Sequence, residues 1–225
     1  MSDVPWWRLA LAAAAVSVAA FAWEQPFVAL FGVLPTLVWC VLAKAARTGL
    51  VVGLVLLVLL AWFTVPRGLG LTGPWVPASI EVYWFHTTLA AVVCAVGTLV
   101  ERERPSALLP TLVVAGFVAA GGVLALHWDA PPGDEGVAPG PSQLTVARDY
   151  ACGSGNCWGV LEATGDHAPD VMREYLVPHG FTPAREISGV PRLCRRTGVL
   201  VTHEVCAELR TLSATAVRVE WYVNR

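Results

Sequence analysis

The sequence predicts a membrane-spanning all-α bundle followed by a small disulfide-stapled α+β domain, an antiparallel sheet with one helix, outside the cytoplasm. Three observations predict it. Five apolar segments are separated by short polar connections, basic residues cluster in alternate connections, and four of the six cysteines lie beyond the last apolar segment. Basic loops stay in the cytoplasm and paired cysteines belong to oxidising compartments, so two independent signals predict the same sidedness.

A spanning helix needs about 20 mostly apolar residues, because the hydrocarbon layer is roughly 30 Å thick and each residue rises about 1.5 Å. Residues 1–128 supply five such segments, at about 6–23, 27–43, 49–65, 80–100 and 107–127. Glu24-Gln25-Pro26 separates the first two, since proline lacks the N–H that a continuous helix needs. Lys44 and Arg47 occupy the turn before the third. A Gly/Pro-rich connection from Pro66 to Pro77 leads to the fourth, and Glu101-Arg102-Glu103-Arg104-Pro105 turns the chain into the fifth. Ala20-Phe21-Ala22 also fits a signal-peptide cleavage site, but a second apolar segment so soon afterwards suits a retained hairpin better.

With the N-terminus inside, Arg8, Lys44, Arg47, Arg102 and Arg104 are cytoplasmic and Arg67 alone is outside. Indoles collect at headgroup level, which assigns Trp6, Trp7 and Trp39 to the inner belt. Trp23, Trp62, Trp75, Trp84 and Trp128 fall to the outer one. The chain is 56% hydrophobic and 14% charged, against about 25% charged in soluble domains, and the excess lies within 1–128. Net charge is −2, and residues 129–225 carry nine Arg against twelve Asp and Glu, so no nucleic-acid footprint is present. One lysine against fourteen arginines is the usage of a GC-rich bacterial genome.

Residues 129–143 are rich in Pro and Gly and have no apolar period, which predicts a tether. Residues 144–225 then read as the outer domain. Strands are expected at Leu144–Tyr150 and Trp158–Ala163, a helix at 167–180 with Asp166 as N-cap and Gly180 past its end, and strands at Gly198–Thr202, Glu204–Leu212 and Ala216–Val223. Cys152, Cys157, Cys194 and Cys206 allow three pairings. The short, glycine-containing spacing from Cys152 to Cys157 suits a local ring, leaving Cys194 to join Cys206. Structural zinc asks for C-x₂₋₄-C knuckles, and the second pair lies too far apart; the C-x-x-C and C-x-x-C-H motifs are absent. Cys40 and Cys94 are expected as inert thiols in the spans.

Ionisable groups inside a span are functional candidates by default. Glu81, His86, Thr87 and Thr88 form the candidate intramembrane polar site, and His86 with His127 is the pair a haem or metal would use. No catalytic residue, cofactor or metal is otherwise expected. Cytoplasmic exposure is confined to short turns, so function lies in the bilayer, outside it or through a partner. The first reading is a non-enzymatic multi-pass protein of the cell membrane whose outer domain binds another membrane or extracytoplasmic protein or an envelope component, as an accessory subunit of a membrane complex. A small transport or channel-like bundle with an outer cap is the second, and a membrane redox protein using haem or thiols the third.

Overall fold

The computed structural model describes residues 5–22, 25–104, 106–126, 131–153, 156–187 and 189–224. The chain forms two compact units, and neither is continuous in sequence. The helical unit takes residues 1–69 and 76–124 together with Val199–Val201; the sheet unit takes Gly70–Trp75, Ala125–Gly198 and Thr202–Arg225.

Five apolar helices make up the helical unit: α1 (Trp6–Ala22), α2 (Pro26–Leu42), α3 (Ala46–Gly68), α4 (Ser79–Val100) and α5 (Leu108–Leu126). Three of them, α3, α4 and α5, with 23, 22 and 19 residues, are long and apolar enough to cross a membrane. α1 and α2 are shorter apolar helices. Pro26 opens α2 at its first turn, where its missing N–H has no partner to lose. Within α4 the turn Val82–His86 is widened to a π-helical one, a local feature often found at functional sites.

The core of this unit holds Trp7, Leu11, Trp39, Val52, Leu56, Ala90 and Cys94. Trp7 and Trp39, expected in a headgroup belt, are buried in that core, and the Trp39 Nε1 donates to the Gly49 carbonyl at 3.0 Å. A buried indole keeps its N–H satisfied in this way. Glycines make the close contacts possible: a Cβ at Gly97 would press on the Trp39 ring, and one at Gly116 of α5 would meet the Tyr83 carbonyl and the Thr87 Oγ1 of α4. Cys40 and Cys94 are free and buried.

In the sheet unit six antiparallel strands run in the order β1-β2-β6-β5-β4-β3. They are β1 (Thr145–Gly153), β2 (Asn156–Thr164), β3 (Thr182–Ile187), β4 (Val190–Thr197), β5 (His203–Ser213) and β6 (Ala216–Asn224), with one helix, α6 (Ala168–Leu176), between β2 and β3. Residues alternate across a strand, and Leu161, Val219 and Leu209 share one register row with Gly159, Trp221, Ala207 and Leu193 in the next. This face packs under Ala168, Met172 and Leu176 of α6, with Phe181 and Val217 completing the core. Gly159 has no side chain because the Trp221 indole occupies that space. The opposite face carries charges in alternation, with Arg218 paired to Glu162 and Glu220, Arg210 to Glu220 and Glu208, and Asn224 to Glu204.

Both disulfides pair as the spacing suggested, Cys152 with Cys157 and Cys194 with Cys206. Each joins residues directly opposite on neighbouring strands, at a Cα separation of 4.1 Å. Four differences from the sequence reading stand out. α6 begins after His167, at φ +53°, and Asp166 makes no cap; Gly180, at φ +84°, closes the short turn after it. β3 and β4 form where no strand was expected. Gly198–Thr202, expected as a strand, is a loop. Residues 131–143, expected as a tether, pack on their own sheet: Val137 and Ala138 enter the core, Asp134 pairs with Arg148, and the Gly133 carbonyl accepts the Trp221 Nε1–H at 2.9 Å.

Candidate functional site

The candidate polar residues Glu81, His86, Thr87 and Thr88 all lie on α4, in its first two and a half turns. Glu81 is the third residue of the helix, and its Oε2 accepts the N–H of Ala78, the N-cap residue, at 2.8 Å. That is the glutamate half of a capping box. The same carboxylate accepts three consecutive backbone amides of the loop between β4 and β5. Val199 donates to Oε2 at 3.0 Å, and Leu200 and Val201 to Oε1 at 2.5 and 2.9 Å. Successive N–H groups converging in this way form an anion-binding nest, and Glu81 fills it from within the helical unit.

A carboxylate has about four acceptor positions, and here two donors reach each oxygen. Glu81 is fully buried and has no acceptor position left for a passing ion or ligand. At this residue of the candidate site the carboxylate joins the N-cap of α4 to the Val199–Val201 loop. The nearby Arg67, expected as an isolated outward basic residue, donates to the Ser79 Oγ at 2.6 Å and to the Phe63 carbonyl at 3.2 Å. It thereby binds the end of α3 to the start of α4.

Thr87 and Thr88 also turn inward on their own helix. The Thr87 Oγ1 donates to the Tyr83 and Trp84 carbonyls at 2.5 and 3.1 Å, and the Thr88 Oγ1 to the Trp84 carbonyl at 2.5 Å. Back-bonding of this kind satisfies a hydroxyl in an apolar setting and tends to bend helices. His86 differs. It is buried, its ring stands edge-on to Phe63 at 5.2 Å, and its Nδ1 has no hydrogen-bond partner among the described residues. A buried polar atom without a partner calls for a reason. His127, its expected counterpart for a haem or metal, lies outside the described residues.

In the sheet unit a second polar cluster appears that the sequence did not announce. Glu135, in the segment read as a tether, meets Arg195 and His203 at 3.3 Å each. Burial raises the Glu135 carboxyl, but the His203 hydrogen bond and the charges of His203 and Arg195 outweigh it and hold the group below the ordinary carboxylate value. Burial lowers the Arg195 guanidinium, with Glu135 offsetting part of the effect. No spacing in the sequence links 135 to 195 and 203; only the register of β4 and β5 brings them together.

Among the described residues, the one grouping of metal-ligand types is Cys194, Glu204 and Cys206. Its two cysteines are joined to each other and offer no thiolate, the form that binds metal. Comparison with protein-family models, with characterised proteins and with solved structures found no match to this chain.

Proposed function

We propose that this is a non-enzymatic protein of the cell membrane with five spans, its N-terminus cytoplasmic and its sheet unit on the opposite side. There the sheet unit binds another membrane or extracytoplasmic protein, or an envelope component, as an accessory subunit of a membrane complex. One observation carries the binding role: among the described residues β1 is an edge strand of the sheet. Cys152 and Cys157 face each other at 4.1 Å between Cα atoms, the close spacing of a non-hydrogen-bonded pair. Val146, Arg148 and Tyr150 lie in the same phase of the ladder, so their backbone groups point away from β2; of these the Tyr150 N–H donates to the Asp149 Oδ1 at 2.8 Å, and the Val146 and Arg148 groups are the ones offered to a partner. The opposite edge, β3, is blunted by Pro183 and a register shift, both devices that discourage strand addition. An edge without proline or a register shift accepts an extended segment of a partner through main-chain hydrogen bonds.

The test is photo-cross-linking of the full chain in its native membrane from a label in β1, comparing Arg148→Pro with Arg148→Ala. Both variants remove the side chain, and only proline removes the outward N–H. Loss of the cross-linked partner with proline but not alanine supports strand addition, and equal recovery from both refutes it. A second reading, the redox protein, is favoured by the unpartnered Nδ1 of His86. Absorbance of the purified protein near the haem Soret band decides it, a colourless sample removing haem.

A further inference from the structure

The nest loop Val199–Val201 combines two properties. Its three amides are all satisfied by one buried carboxylate, and its side chains are apolar and turned outward, Leu200 being 59% and Val201 43% exposed. In water the first property only satisfies amides that face a buried carboxylate, and the second is unfavourable. In a bilayer both are needed, because irregular backbone is tolerated at membrane depth only where its polar groups are already paired. The depth is set by Glu81. It sits in the first turn of α4, at one end of a helix long and apolar enough to span, and it holds the loop amides within 3.0 Å of its oxygens.

We propose that Val199–Val201 is a lipid-inserted anchor, with Leu200 and Val201 seated in the outer leaflet of the same bilayer that the helices cross and Glu81 as the positioning residue. The proposal rests on the membrane reading above, so the experiment separates the two. Nitroxide labels are placed singly in the full chain at Leu200→Cys, Leu212→Cys and Val58→Cys, with Cys40 and Cys94 changed to alanine. The proteins are reconstituted in phosphatidylethanolamine–phosphatidylglycerol vesicles. Accessibility to oxygen, which concentrates in lipid, is compared with accessibility to a water-soluble nickel chelate.

Leu212 matches Leu200 in exposure and lies about 30 Å along β5 from His203 at the usual rise per residue; Val58 is an exposed residue in the middle of α3. The expected result is an oxygen-to-nickel ratio at 200 several-fold above that at 212 and close to that at 58. A ratio at 200 equal to that at 212, with 58 still lipid-like, overturns the anchor alone; a water-like 58 overturns the membrane reading itself. Low accessibility to both reagents at 200 means that protein covers the loop, and also overturns the anchor. Glu81→Gln supplies an independent readout, since an amide offers one acceptor oxygen and turns an N–H toward the nest. It should loosen the label at 200 and lower its oxygen ratio while leaving 58 unchanged. An unchanged signal at 200 removes Glu81 from the proposal.

Discussion

Helix α4 carries a glutamate near each end, and both bind backbone amides of a segment far away in sequence. At the N-terminal end Glu81 takes four amides and is fully buried. At the C-terminal end Glu101 takes two, from Lys44 and Ala45 at 2.9 and 3.0 Å, in exposed contacts beside the Lys44–Glu103 ion pair. The helix dipole explains the asymmetry. Its positive N-terminal end favours a carboxylate, and its negative C-terminal end disfavours one. A buried carboxylate is stable where amides and dipole both act on it. The same residue type therefore makes a deep clasp at one end and a surface tie at the other.

Three measurements probe that difference, with the largest effect at Glu81. Glu81→Ala leaves four amides without their charged acceptor, and hydrogen bonds to charged groups contribute about 1.5–3 kcal/mol each. Because the loop can recover part of this by moving, a loss of about 3–5 kcal/mol is expected, read as a lowered midpoint when the helical unit is unfolded in mixed detergent micelles. A loss no larger than that of Glu101→Ala would break the comparison.

A third carboxylate, Glu135, relies on side chains where Glu81 relies on amides, and so should respond to pH. Its folded-state pKa lies below its unfolded one, so its contribution is present in full above the ordinary value of 4.5 and is lost as pH falls through the folded value. The expected effect is about 1 kcal/mol, since the partners are partly solvated. It is measured as an acid-side fall in the urea midpoint of Trp221 fluorescence that Glu135→Gln flattens. The smallest change is expected for Glu101→Ala, below about 1 kcal/mol because the contacts are exposed, in the same detergent titration used for Glu81.

Much of the architecture was legible residue by residue. Apolar runs located all five helices, because a helix with lipid or core around it needs no polar face. Strict alternation found β5 and β6, whose inward Val205, Ala207, Leu209, Val217, Val219 and Trp221 are all buried. β4 is not legible in the sequence because Arg195 stands where alternation requires an apolar residue, its burial accommodated by Glu135 and by the Phe181 ring beneath its guanidinium. Val199-Leu200-Val201 was misread as a strand for the converse reason: β-branched residues suggest pairing, but their amides go to Glu81, 118 to 120 residues away. Pro and Gly in 131–143 suggested a tether, although Val137 and the Gly133 carbonyl bind the chain to its sheet.

By itself the sequence determined the apolar helices, the antiparallel sheet with its single helix and the pairing partners that cysteine spacing favoured. Periodicity, proline and short loops are local signals, and hydrophobic burial reads them directly. The tertiary structure alone decided where the polar groups went. Glu81 became a clasp, Arg67 a tie between helices, Glu135 the partner of Arg195 and His203, and His86 kept an unpaired ring nitrogen. Hydrogen bonds and ion pairs depend on which distant donor arrives within about 3 Å, and no periodicity along the chain encodes that.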